Sequence, residues 1–199
     1  MTDTFDVLLI GAGISGINAA YRIQTQCPHL NYAILEARHG MGGTWDFFKY
    51  PGIRSDSDLY TFGFPWAPWQ EQRAIADGAS IKAYIEKTAA SQGIDRKIRY
   101  GCKVMETEWR SDEQKWRVRC EVEGEKGAEE KVLYAGFVMW TTGKLPFSFF
   151  FSCPDGGCSS ERGRAGASGS RKKHTPDVIT VFACPRCCEK AISMARTPE

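Results

Sequence analysis

Three glycines, spaced Gly11-x-Gly13-x-x-Gly16, lie between an apolar run and a helical pattern, and nothing else in the 199 residues restricts the fold as much. The run before them, Phe5-Asp-Val-Leu-Leu-Ile10, is short and nearly continuous, as a strand covered on both faces should be. Ile14 to Gln26 reads as a helix, with Ile14, Ile17, Ala20, Tyr21 and Gln24 at helical spacing and Pro28 as its stop. Asn31-Tyr-Ala-Ile-Leu-Glu36 reads as a second buried strand. This order predicts a strand–helix–strand unit with a right-handed crossover. In such a unit Gly11 permits the tight turn, Gly13 lets the backbone approach a diphosphate, and Gly16 lets the helix pack on the strand. The helix start offers free N–H groups and about half a positive charge to phosphates. Glu36, at the end of the second strand, can accept from ribose hydroxyls and disfavours a 2′-phosphate. The dinucleotide expected here is therefore FAD or NAD rather than NADP.

Residues 37–76 have neither helical nor strand periodicity, an unusual length for an irregular stretch. Trp45, Phe47, Phe48, Tyr50, Tyr60, Phe62, Phe64, Trp66 and Trp69 argue against disorder, so the stretch is expected to be an ordered loop wrapped on a ligand. Trp66 and Trp69 read as loop packing rather than a substrate cage. Ser80 is a candidate cap for a helix through about Gln92, with Gly93 as terminator. Three strand-like stretches follow, Ile98–Trp109, Lys115–Val122 and Lys131–Trp140, with Ser111–Gln114 and Glu123–Glu130 as polar turns. The fold class expected is α/β: a Rossmann-like domain with a parallel sheet and a small antiparallel meander over about 98–135.

Composition divides the chain near residue 145. Residues 1–145 hold all six Trp and carry 18 Lys and Arg against 19 Asp and Glu, a net charge of −1. Residues 146–199 hold no Trp, five of the eight Cys, and 8 Lys and Arg against 5 Asp and Glu, a net of +3. The expected domains are a nucleotide-binding domain at 1–145 and a low-order Cys/Gly/Ser/Arg-rich tail at 146–199. An overall charge of +2 gives no reason to expect nucleic acid. No apolar run reaches the roughly 20 residues of a membrane helix. Met1–Asp6 lacks the basic start of a secretory signal, so a cytoplasmic location with free thiols is expected. Cys27, Cys102 and Cys120 read as small apolar side chains, and His29 and His39 as surface histidines.

Gly42-Gly-Thr-Trp45 follows the second strand, and Tyr50-Pro-Gly-Ile-Arg-Ser-Asp56, Ile75-Ala-Asp-Gly-Ala-Ser80 and Trp140-Thr-Thr-Gly143 come after it. With Gly11–Gly16 and Glu36, these segments closely resemble the flavin-dependent monooxygenases, in particular the Baeyer–Villiger group, over about residues 4–145. The resemblance implies FAD as cofactor, NADPH as co-substrate, and oxygenation of a small-molecule ketone, sulfide or amine. It implies that Gly11, Gly13, Ser15 and Gly16 lie at the diphosphate and that Glu36 holds the adenosine ribose. Gly43, in the second glycine pair, would lie near the diphosphate, and Thr44 and Trp45 would line the ribityl and flavin side. Asp56 would sit near the flavin ring, Arg54 and Ser55 near the arriving nicotinamide, and Val104 against the adenine through its backbone.

Other segments of that family have no counterpart here. Residues 146–199 contain one His and no Trp, so the family signature Phe-x-Gly-x-x-x-His-x-x-x-Trp cannot be present. Val178–Phe182 resembles a strand, yet the turn after it, Ala183-Cys-Pro-Arg-Cys-Cys188, has no glycine to admit a phosphate. Asp177–Ala183 is expected to form one strand. Cys153-x4-Cys158 with Cys184-x2-Cys187 is too loosely spaced to predict zinc, so no metal is expected. Arg171-Lys-Lys-His174 reads as a solvated linker. A frameshift, retained intron or truncated gene model would account for the change after residue 145, and the chain alone is expected to bind FAD weakly with little or no turnover. Two rival readings use the same nucleotide fold: another FAD- or NAD-dependent oxidoreductase, and a non-catalytic nucleotide-binding or regulatory fragment. Substrate and oligomeric state have no reading in these residues.

Overall fold

The computed structural model describes residues 3–124, 127–142 and 179–180. Strand β1 spans Asp3–Ile10, helix α1 Ile14–Gln26 and strand β2 Tyr32–Leu35. β1 is central: β2 pairs with it in parallel on one side and β6, Gly127–Trp140, in parallel on the other. Its alternation explains why its buried half, Val7–Ile10, is apolar throughout. Val7 and Leu9 enter the core under α1, and Leu8 and Ile10 enter a second core on the opposite face.

The stretch after β2 is less irregular than its composition suggests. It contains two one-turn helices, α2 at Thr44–Phe47 and α3 at Leu59–Phe62, the latter capped by the Asp58 carboxylate on the Thr61 N–H at 2.8 Å. Helix α4 spans Gly78–Ser91. Its cap is Asp77 rather than Ser80: the Asp77 carboxylate accepts from the Ser80 N–H and hydroxyl, both at 2.9 Å. An acid accepts from an exposed N–H more strongly than a hydroxyl does, and Ser80 is left as donor. Gly93, at φ +65°, ends α4 as expected, and the Ile94 N–H returns to the Ala89 carbonyl.

The expected strand Ile98–Trp109 is two strands. After a short 3-10 turn at Asp95–Lys97, β3, Ile98–Arg99, pairs in parallel with β2. Gly101, at φ +62°, then turns the chain, and β4, Cys102–Arg110, pairs antiparallel with β5, Lys115–Gly124. β5 and β6 pair from Trp116–Ala135 out to Gly124–Gly127. The segment expected as a long polar turn is thus mostly an extension of this hairpin, whose outer residues are exposed and lack an apolar face.

The strand order is β3-β2-β1-β6-β5-β4. β4 begins beside the end of β2, the Cys102 N–H donating to the Glu36 carbonyl at 2.9 Å, yet pairs along its length with β5. The sheet therefore curls over its second face, where Cys102, Val104, Val118 and Cys120 pack with Leu8, Leu35 and Leu133. β7, Ile179–Thr180, lies within the strand expected at Asp177–Ala183 and pairs in parallel with β6 at Met139 and Trp140. The rest of the expected tail, its cysteines included, lies outside the described residues. Among the described residues no helix is long and apolar enough to cross a membrane.

Candidate functional site

The register sets the site. Ile10 pairs with Leu35 on one side and Trp140 on the other, so Gly11, Glu36 and Thr141 all leave the sheet at one edge. In an open α/β sheet this edge, where the chain departs to opposite sides of the central strand, is where ligands bind.

Gly11 turns at φ +108°, and a Cβ there would meet Thr141 and Thr142 at 3.2–3.3 Å. At Gly16 a Cβ would stand 2.0 Å from the Gly11 carbonyl oxygen, so only glycine lets α1 start this close to β1. Gly13 caps α1 without any side-chain hydrogen bond, and the first turn carries no acid. The helix N-terminus therefore presents its N–H groups and positive dipole end past half-exposed Gly13, Ile14 and Ser15. Gly43, at φ +58°, faces it: a Cβ there would be 3.0 Å from the Gly13 Cα. The Gly42 N–H donates to the Ala12 carbonyl at 2.9 Å and holds the two glycine segments together.

Glu36 is 6 % exposed. Its Oε2 accepts from the Ala12 N–H at 2.8 Å and its Oε1 from the Arg38 N–H at 3.1 Å. A carboxylate has about four acceptor positions, so it keeps capacity for further donors. Thr141 closes the cradle from β6. Its hydroxyl reaches the Ile10 and Gly11 carbonyls at 2.8 and 2.9 Å, and its N–H donates to the Ile10 carbonyl at 2.9 Å.

The remaining candidates are spread more widely. Thr44 is exposed at the start of α2, while Trp45 is half buried and meets Phe62 edge-on at 6.2 Å. Arg54 and Asp56 are exposed and, with Tyr50, Gly52, Ser55 and Ile75, line an open depression of about 630 Å³. Buried Ser55 fixes that turn, its hydroxyl donating to the Ser57 carbonyl at 2.6 Å and its N–H to the Ala76 carbonyl at 2.9 Å. Val104 sits on β4 just before a bulge, its side chain in the second core. Trp66 and Trp69 are packing residues, as expected. Trp66 stacks on Tyr21 at 3.7 Å, and the Trp69 indole donates to the Arg73 carbonyl.

Two contributors are not among the expected site residues. Thr141 lies in the Trp140-Thr-Thr-Gly143 segment, but its hydroxyl bonds 130 residues back along the chain, which nothing local signals. Arg38, two residues past Glu36, places its Nη2 on the Gly43 carbonyl at 3.2 Å. Its spacing from Glu36 and from the second glycine pair was the available signal.

The family profile for NAD(P)-binding Rossmann-like domains matches residues 9–75. FAD-containing monooxygenase EthA of Mycobacterium tuberculosis is 48 % identical over 149 residues, which is 73 % of this chain and 30 % of that protein. The solved structure of an oxidized steroid monooxygenase bound to NADP superposes with a TM-score of 0.62 at 29 % identity, covering 72 % of this chain and 27 % of that one. A cyclohexanone-bound cyclohexanone monooxygenase gives 0.63 at 25 %, covering 74 % and 28 %. The chain thus spans about 30 % of the length of the curated relatives it matches. The N-terminal portion of this chain is similar to FAD-containing monooxygenases, and its structural neighbours include a steroid monooxygenase and a cyclohexanone monooxygenase.

Proposed function

We propose that residues 1–145 are the FAD-binding portion of an NADPH-dependent flavin monooxygenase that oxygenates a small ketone, sulfide or amine, with 146–199 a separate tail. The observation that carries this reading is the cradle, where a helix N-terminus without a side-chain cap faces Gly43, a Cβ at which would stand 3.0 Å from the Gly13 Cα, with a buried carboxylate at the strand end. These residues fit a dinucleotide: backbone N–H groups suit a diphosphate, and the acceptor capacity left on Glu36 suits ribose hydroxyls. Gly11, Gly13, Ser15 and Gly16 would hold the diphosphate and Glu36 the ribose. Gly43 would lie near the diphosphate, Thr44 and Trp45 would line the flavin side, Asp56 would face the flavin and Arg54 the nicotinamide, and the Val104 backbone would meet the adenine. When bound, the flavin supplies hydride acceptance from NADPH and oxygen transfer from O2. The protein's part is to bind, orient and exclude water. Exposed Arg54, beside the open depression, is suited to attract the 2′-phosphate that Glu36 repels from its own site. Free thiols at Cys27, Cys102 and Cys120 support a cytoplasmic location.

Calorimetric titration of the 199-residue chain with FAD, NAD and NADP tests the assignment. Heat with FAD, a bound-flavin visible spectrum and a raised Tm are expected. Heat with NAD alone would move the protein to the nicotinamide oxidoreductases. No heat with any of the three would remove the assignment.

A further inference from the structure

We infer that Arg38 is the positioning residue of the cofactor cradle, one guanidinium fixing both the ribose-facing carboxylate and the second glycine turn; the inference rests on the reading of the cradle as an FAD site. Arg38 Nε lies 3.5 Å from Glu36 Oε1, and the Arg38 N–H reaches the same oxygen at 3.1 Å. That oxygen is thereby engaged, and Oε2 is left turned to the Ala12 N–H. Nη2 of the same group donates to the Gly43 carbonyl, on the opposite wall from Gly13. Only a rigid fork joins two acceptors in this way; the point charge of a lysine reaches one of them.

The fork is itself held from behind. Nη1 is shielded from solvent, makes no hydrogen bond, and faces Asp46 Oδ2 at 3.8 Å. Asp46 Oδ1 is tied to Lys82 Nζ on α4 at 2.8 Å, with Lys49 Nζ at 3.9 Å. The phenyl ring of Phe47 lies 5.3 Å from the guanidinium carbon. A chain of contacts therefore runs from α4 through Asp46 and Arg38 to both walls of the cradle. None of these side chains needs to touch the cofactor to set its affinity, because a displacement of the carboxylate or of Gly43 changes the width of the cradle.

The test is FAD affinity against stability without FAD, measured on the full 199-residue chain. Arg38→Met is expected to raise the FAD Kd about tenfold, and Arg38→Lys to recover only part of that loss. Asp46→Asn, one link behind, is expected to raise Kd about threefold and Lys82→Met about twofold. In each case the Tm without FAD should stay within about 3 °C of wild type, where a merely structural role would lower Tm and affinity together. If Arg38→Met does not fold, Asp46→Asn, nearly the same shape, carries the test alone. A wild-type Kd in Arg38→Met or in Asp46→Asn overturns the positioning role. So does full recovery by Arg38→Lys. Failure of the wild-type chain to bind FAD overturns this inference and the cofactor assignment together, whereas wild-type binding with unaffected variants overturns this inference only.

Discussion

In the cradle, from Gly11 to Glu36 with Gly43 and Thr141 against it, backbone turns, glycine contacts and the buried carboxylate all point to one small volume. In the loop after it the nine aromatics divide. Phe64 and Trp69 are buried, with Trp66 stacked between Tyr21 and Phe64, while Phe47, Phe48 and Tyr50 are 62, 47 and 56 % exposed. The first half of the loop forms a contiguous aromatic ridge, Phe48 meeting Phe47 at 4.9 Å and Tyr50 at 6.3 Å, next to the depression lined by Arg54 and Asp56. The difference teaches that backbone geometry is settled by neighbours in sequence, whereas aromatic burial is settled by whichever distant helix arrives. Here the rings of Tyr21 on α1 and Tyr84 on α4 reach the aromatics of the second half, whereas α4 meets the first half through the Lys82–Asp46 ion pair.

Within the cradle, two glycines separate folding from binding. Gly16→Ala puts a Cβ 2.0 Å from a backbone oxygen that cannot step aside, so a loss of more than about 3 kcal/mol, read as insoluble or unfolded protein, is expected. Gly13→Ala meets nothing closer than 3.5 Å and has an ordinary φ of −81°. It should keep its circular dichroism and Tm while losing FAD binding by about tenfold or more, because the methyl occupies the space between the helix start and Gly43. Equal damage from the two substitutions would show that the cradle is only a folding device.

The loop can be divided the same way by urea unfolding. Phe64 is 1 % exposed and packs between Trp66 at 4.8 Å and Tyr84 at 5.5 Å. Phe64→Ala is expected to cost about 3–5 kcal/mol. Phe48→Ala, on the exposed ridge, should stay within about 0.5 kcal/mol. A comparable loss at Phe48 would mean that the ridge is covered in solution and that the contrast between the halves is false.

These contrasts also mark what the sequence discloses. The strand–helix–strand unit is legible because its signals are adjacent: apolar runs, glycine spacing, and an acid at the strand end. The helix over Gly78–Ser91 is legible as a pattern, but its cap is displaced, since Asp77 and Ser80 both fit a start and only the hydrogen-bond direction decides. The division of Ile98–Trp109 at Gly101 is not legible, because the partner that defines β3 is β2, far back in the chain. The roles of Arg38 and Thr141 depend on Gly43 and Gly11 being folded against them, which no local pattern carries.

A last comparison sets the two ends of β1 against each other. The Ile10 end is held by buried hydrogen bonds, and the Asp3 end by half-exposed ion pairs with Arg99 and with Lys131 at 2.9 Å. Lys131 first and Arg99 second hold the Asp3 carboxyl down at about 2. A depressed carboxyl stabilises the fold fully above its unfolded value of about 4, and that contribution fades as pH falls towards 2. Asp3→Asn should therefore lower Tm by no more than about 2–4 °C at pH 6, given the modest worth of such pairs. The gap to wild type should narrow between pH 4 and 2 and close below it. A gap that persists at pH 2 would show that Asp3 acts through packing rather than charge. The Asp3 end would then be held without charge, as the Ile10 end is.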